Sequence, residues 1–245
     1  MNNNIQELKK EFNKIKNIPL NKSLRIGPTG LGYTFESLLN KKEDNLYFPD
    51  FKGIEIKTKL GYTKSSLTLF TLTPTKENDR SIKYILENFG YPDKNKKEFK
   101  TFKGDVYYKQ NNIIANKFIF KTKIDIKNNK LKLIILDTEL NIINDEIYWN
   151  LQEIKERLYA KLNYLAYIKG YPYKINNQTY YKYTNLEIYK AKDFNNFLEL
   201  LKKDIIYITF NISVFTNNRY GQIHDRGTAF KLKNNHLLEL FYVIK

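Results

Sequence analysis

The chain has 245 residues, with 42 Lys and Arg against 26 Asp and Glu, and its formal charge of +16 favours a polyanionic partner, nucleic acid before an anionic membrane surface. The absence of cysteine excludes disulfides, thiolate zinc sites and a cysteine nucleophile, and two histidines are too few for a histidine-rich metal site. Hydrophobic residues at 42% and aromatic residues at 15% supply a core for one domain or two packed lobes; no apolar run reaches membrane-spanning length and no signal-peptide pattern is present, so a soluble cytoplasmic protein is the default.

Between Asn4 and Lys16, Ile5, Leu8, Phe12 and Ile15 recur at helical spacing with lysines on the other face. This predicts a packed amphipathic helix that ends at Pro19. The run Arg25-Ile-Gly-Pro-Thr-Gly-Leu-Gly-Tyr-Thr-Phe-Glu-Ser-Leu-Leu39 predicts a flexible loop around Gly27, Gly30 and Gly32, then a helix from about Thr34. Glycines at a helix N-terminus expose N–H groups to an anion, so the loop resembles a phosphate cradle. It lacks the Gly-Lys-Ser/Thr of a Walker motif and a strong preceding strand, which makes a dinucleotide site improbable. Glu36 lies one turn into the helix, either as an ordinary first-turn acid or as a group reaching an acidic cluster further along.

That cluster lies in Phe48-Pro-Asp-Phe-Lys-Gly-Ile-Glu-Ile-Lys-Thr-Lys59, where Asp50, Glu55 and Lys57 form the pattern Asp-x4-Glu-x-Lys. Ile54 to Thr58 alternates apolar and polar, so a strand would turn Ile54 and Ile56 to the core and bring Glu55 and Lys57 to one face. Gly53 permits a tight turn that returns Asp50 to Glu55. Two carboxylates and an ammonium then meet, a set suited to Mg2+ and to a water attacking phosphate. The plain alternative is an edge strand with a solvated Glu-Lys face.

From Pro74 to about Asn112 the lysine-rich composition predicts a long loop or insertion, with a short helix near Ser81 to Phe89. Phe118 to Phe120 and Leu131 to Ile135 flank Asn128-Asn129 as a hairpin, within a strand-like stretch from Asn116 to Tyr148, and Asp137 to Leu140 makes a second turn. A helix is expected from Asn150 to Asn163 with Leu151, Ile154, Leu158 and Leu162 on one side. The tyrosines between Tyr164 and Tyr189 fit a hairpin about Asn176-Asn177 better than a base-stacking surface. Phe194 to Lys203 predicts a helix and Ile205 to Phe215 a strand, followed by a polar loop from Thr216 to Arg226 suited to reading base edges.

Gly27-x-Thr29-Gly30-x-Gly32-x-Thr34-Phe35-Glu36-x-Leu38-Leu39, Pro49-Asp50-Phe51 and Glu55-Ile56-Lys57-Thr58 resemble the MvaI/BcnI-type restriction endonucleases, within the PD-(D/E)xK nuclease group that includes the nickase MutH. Ser65 to Phe70, Tyr180 to Tyr183 and Gly221-x-x-His224-Asp225-x-Gly227-Thr228-Ala229-Phe230 extend the likeness over nearly the whole chain. The resemblance implies an α/β (α+β) fold with a mixed β-sheet flanked by helices. Its two lobes would enclose a DNA cleft, a catalytic lobe over about 1–150 and a DNA-recognition lobe over 151–245.

The activity implied is that of a type II restriction endonuclease. It would cut double-stranded DNA with Mg2+ at a short, nearly palindromic, GC-rich site, acting as a monomer beside a cognate DNA methyltransferase. Asp50 and Glu55, with the Ile56 carbonyl, would hold metal, Lys57 would position water, and Glu36 would support the site. Thr29, Lys59, Asn211, Arg219, His224, Asp225 and Arg226 are the candidate DNA contacts. Asn211 stands where the resemblance places a guanine-directed arginine, and the loop after it is slightly short, a departure that bears on the family's DNA sequence specificity and not on its chemistry. A MutH-like nickase and a non-catalytic basic nucleic-acid-binding module are the two alternatives. The second leaves Glu36 and the Asp50-Glu55-Lys57 cluster without a role.

Overall fold

The computed structural model describes residues 1–39, 49–75, 80–115 and 117–244. Phe48 and Asn116, which open two of the stretches discussed above, lie outside the described residues. In chain order the elements begin with α1 (Asn2–Asn17), β1 (Asn21–Lys22), α2 (Gly30–Leu38), β2 (Glu55–Leu60), β3 (Leu67–Thr71), α3 (Ser81–Phe89), β4 (Tyr91–Pro92) and β5 (Lys100–Val106). They continue with β6 (Asn112–Ile114), β7 (Phe118–Asp125), β8 (Lys130–Leu136), β9 (Ile142–Asn144), β10 (Tyr148–Asn150), α4 (Leu151–Leu162), β11 (Tyr164–Ile175) and β12 (Gln178–Ala191). The last are α5 (Phe194–Lys202), β13 (Ile206–Val214), β14 (Ile223–Asp225), β15 (Ala229–Leu232), α6 (Leu237–Leu240) and β16 (Phe241–Ile244). The fold is mixed α/β, and it divides into two compact units, each discontinuous in sequence. The sequence alone drew one lobe boundary, near residue 150.

The first unit comprises residues 1–65, 158–192 and 238–245. Its sheet runs β1-β12-β11-β2, with β16 paired to β12. The hairpin β11–β12 turns at Asn176 and Asn177, whose φ values of 47° and 61° fit a type I′ turn. β2 runs parallel to β11, with Glu55 opposite Leu165 and Lys57 opposite Tyr167. Helix α1 buries Ile5, Leu8, Phe12 and Ile15 against Leu31, Phe35, Ile54, Ile56, Ala166, Ile168 and Tyr183. Ile18 after it is extended at ψ 122°, the backbone that a following proline favours.

Helix α2 begins at Gly30, four residues before the expected start at Thr34, so Gly30 and Gly32 lie in the helix and not in the loop expected around them. Gly30 and Gly32 are helical and serve close packing. A Cβ on Gly30 would meet the Arg25 carbonyl and the Tyr181 hydroxyl at 2.5 Å, and one on Gly32 would lie 3.1 Å from Thr58 Oγ1. Tyr183 fixes the same helix by donating its hydroxyl to the Leu31 carbonyl at 2.8 Å. Gly27 alone of the three has a positive φ, 96°.

The second unit comprises residues 66–157 and 193–237. One sheet runs β3-β15-β13-β5-β4 with β14 on β13, and another runs β10-β8-β7-β6 with β9 on β8. Its core is aromatic: Phe70 stacks on Phe230 at 5.0 Å, Phe102 meets Phe120 at 5.0 Å, and Trp149 is fully buried with Nε1 donating to the Leu72 carbonyl at 2.9 Å. The turns at Asn128-Asn129 and at Asp137 to Leu140 form as expected, with φ of 55° at Asn129 and 70° at Leu140. The expected loop from Pro74 to Asn112 holds the predicted helix α3 but also β5, a full partner of β13. Phe102 and Val106 supply the buried anchors of β5, and pairing and packing override the weak strand propensity of its lysines, glycine and aspartate.

Candidate active site

The Asp50-Glu55-Lys57 motif is built by a local turn. Lys52 and Gly53 both have positive φ, 46° and 89°. Phe51 and Ile54 exchange backbone hydrogen bonds across them, Phe51 N to Ile54 O at 2.9 Å and Ile54 N to Phe51 O at 2.8 Å. This two-residue connection folds the preceding residues back beside β2. Asp50 Oδ2 thereby accepts a hydrogen bond from the Ile56 amide at 3.0 Å. Among the described residues β2 is the edge strand of its sheet, with β11 on its other side. Within a strand, the N–H and C=O of one residue point the same way. An Ile56 amide aimed at Asp50 therefore places the Ile56 carbonyl on the same open edge.

Glu55 is not on a solvated face. Its side chain is 1% exposed, and Oε1 accepts a hydrogen bond from Lys57 Nζ at 2.7 Å. Oε2 lies 3.0 Å from Lys161 Nζ, within ion-pair reach but without hydrogen-bond geometry. Burial pushes the Glu55 carboxyl above its ordinary pKa and the charge of Asp50 adds to that, while Lys57 and Lys161 oppose it. Two acids and two ammoniums are thus gathered around the start of β2.

The donor set fits a hard divalent cation. Asp50, Glu55 and the Ile56 carbonyl offer oxygen only, and the buried Glu55 Oε2 lacks a directed hydrogen bond that a cation would replace. Among the described residues no three acidic or histidine side chains come together, so the set is two carboxylates and a peptide carbonyl. Glu36 does not join it. Its Oε1 lies 3.6 Å from the Cβ position of Gly32, the point 3.1 Å from Thr58 Oγ1, and its charge helps raise the Tyr183 phenol after burial and Tyr181. Thr58 has the strand parity of Ile56, opposite to that of Glu55 and Lys57.

Thr29 is exposed at the N-cap of α2 and makes no side-chain cap bond. Lys59 shares the parity of Glu55 and Lys57 and donates to the Ser65 carbonyl at 2.9 Å. Its pKa is lowered by burial first and by Lys169 second.

The remaining candidates lie together in the second unit. β14 pairs with β13, setting Asp225 opposite Ile212 and His224 opposite Ser213. The imidazole of His224 stacks on Phe215 at 4.0 Å and 8°, and the Arg219 guanidinium lies 4.0 Å from the same ring, so Phe215 is held between them. Both oxygens of Asp225 are used within the turn, Oδ1 by Gly227 N at 3.0 Å and Oδ2 by Thr228 Oγ1 at 2.9 Å. Arg226 is bound at both ends, its amide to the Asn211 carbonyl at 2.9 Å and Nε to Ser213 Oγ at 2.8 Å. It lines a cavity of about 230 Å3 with Asp93, Lys96, Phe99 and Thr216. Among the described residues, Asn211 Oδ1 and His224 Nδ1 are buried with no hydrogen-bond partner.

Lys161 is the residue that sequence reasoning missed. It stands in the last turn of α4, directly before β11, and the parallel pairing of Leu165 with Glu55 brings that turn to the acid. Nothing local marks it among so many lysines.

No curated protein matches the chain. The profile of the MvaI/BcnI restriction endonuclease family matches residues 9–241. A solved structure described as restriction endonuclease MvaI in complex with cognate DNA substrate superposes with a TM-score of 0.88 at 29% identity, covering 98% of this chain and 96% of that one. Restriction endonuclease MvaI in the absence of DNA gives 0.65 at 28% identity, covering 100% and 98%. Among the described residues no helix is long and apolar enough to cross a membrane. The chain belongs to the MvaI/BcnI restriction endonuclease family and is a type II site-specific deoxyribonuclease.

Proposed function

We propose that the protein hydrolyses phosphodiester bonds in double-stranded DNA at a short, nearly palindromic, GC-rich site, with Mg2+ as its cation. It acts as a monomer that cuts one strand and then the other, in the cytoplasm, beside a DNA methyltransferase that protects the same site. The observation that carries this is the Asp50 carboxylate held by the Ile56 amide at the edge of β2, beside the Glu55–Lys57 pair of the same strand.

Asp50, Glu55 and the Ile56 carbonyl would hold the cation, which supplies Lewis acidity and lowers the pKa of water. The Ile56 amide keeps the Asp50 carboxylate at the edge of the strand. Lys57, anchored on Glu55 at 2.7 Å, positions the attacking water and stabilises negative charge developing on the phosphate. Glu36 supports the site from α2, whose Leu31 and Phe35 pack with Ile56 of β2. Thr29 and Lys59 hold phosphates. Arg226, His224, Arg219 and Asn211 face base edges, while Asp225, with both oxygens engaged, shapes the turn that presents them.

Incubation of the purified protein with unmethylated plasmid, with and without Mg2+, tests the activity. Discrete fragments with a common end sequence, and only with the cation, are expected; retardation of the DNA without cleavage would contradict it. A time course across enzyme concentrations should pass through nicked circles. Linear product with no nicked form, and two chains per duplex on sizing, would overturn the monomer.

A further inference from the structure

We propose that Lys161 is a built-in counter-cation of the active site, one that a divalent metal must displace from Glu55 and that ties metal loading to the arrival of DNA. The inference rests on the metal site proposed above and adds a residue to it. Glu55 is buried, and each of its oxygens has an ammonium at close range, Lys57 Nζ at 2.7 Å on Oε1 and Lys161 Nζ at 3.0 Å on Oε2. The two lysines are themselves largely enclosed, with side chains 27% and 21% exposed. The Glu55 carboxylate is therefore already met by two ammoniums.

The two ammoniums are not equivalent. Lys57 lies on β2 itself, two residues from Glu55, and makes a directed hydrogen bond to it. Lys161 approaches from another element, in the last turn of α4, and lies at ion-pair distance from an oxygen that has no hydrogen bond. Of the two, Oε2 is the oxygen open to exchange. A divalent ion entering there meets the ammonium of Lys161 at a few ångströms in a poorly screened site, and the repulsion weakens its binding. A DNA phosphate brings the missing negative charge, and the displaced ammonium becomes its partner. Metal and DNA then favour each other by a coupling free energy that runs through Lys161.

The test is a titration of Mn2+ into DNA-free protein, with free Mn2+ read by electron paramagnetic resonance, for the wild type, K161Q, K161M, K161R and D50A. K161Q removes the charge and leaves a polar side chain, K161M leaves an apolar one, and K161R keeps the charge. Both neutral variants should bind Mn2+ about tenfold more tightly than the wild type, while K161R stays near it. Added plasmid DNA should tighten Mn2+ binding in the wild type and do so less in K161Q. Affinity in K161Q equal to or weaker than wild type, with the protein folded by circular dichroism, would overturn the role of Lys161. D50A should lose Mn2+ binding; retention there would instead overturn the metal site, so the two failures are distinguishable.

Discussion

The active-site edge of β2 and the β13–β14 turn of the second unit use polar side chains in opposite ways. Around β2, acids and lysines neutralise one another, and the Glu55 carboxylate is almost wholly out of water. Around β14, both oxygens of Asp225 are spent on fixing the turn and Arg226 is tied to Ser213 through Nε alone, while among the described residues Asn211 Oδ1 and His224 Nδ1 are buried and unsatisfied. Removing a partner from a buried charge is costly, which fixes the chemistry at the first site. An unsatisfied buried acceptor is a modest cost that a ligand can recover, which leaves the second site open to change in what it reads.

Removing the cation should separate the two regions most completely. Chelation should abolish cleavage while leaving DNA retardation in place, and added Mg2+ should restore cutting; cleavage that persists in chelator would dissociate the β2 cluster from metal chemistry. Asp225→Ala should act on the second region through stability. It strips an acceptor from Thr228, which is fully buried, and from the Gly227 amide, at a cost of about 1–3 kcal/mol in urea unfolding. A loss of discrimination with unchanged stability would mean that Asp225 reads a base itself.

Arg226→Ala and His224→Ala should cost about 1–3 kcal/mol of discrimination between the target duplex and a one-base variant. Equal losses on every duplex would reassign them to the DNA backbone. Gly53→Ala should have the smallest effect, about 1 kcal/mol of stability, because φ of 89° disfavours a Cβ there. Its turnover should fall with Asp50 less firmly held, and wild-type stability and rate together would show that the turn does not position the acid.

How much was legible in the sequence follows the same division. The β2 cluster was readable because its parts are local: Lys52-Gly53 makes the turn, and alternation gives Glu55 and Lys57 one face. Helices α1, α3, α4 and α5 and the asparagine turns of two hairpins were readable for the same reason. Lys161 was not, because its contact with Glu55 depends on β11 pairing with β2 across more than a hundred residues of chain. Strand β5 was hidden by a composition that reads as loop, and its place is set by β13. The glycines before Glu36 misled, since the same residue that frees a loop also lets a helix pack closely, and only the neighbours of Gly30 and Gly32 distinguish the two. The engagement of Asp225 within its own turn was likewise invisible until Gly227 and Thr228 were placed beside it.

The most direct test of the β2 cluster is to measure binding and single-turnover cleavage on one target duplex for the wild type, Asp50→Ala and Lys57→Ala. With Asp50 the proposed metal ligand and Lys57 the group proposed to act on the transition state, both variants should bind the duplex as tightly as the wild type while failing to cut it. Cleavage at the wild-type rate by Asp50→Ala or Lys57→Ala would contradict the assignment of the active site to the edge of β2.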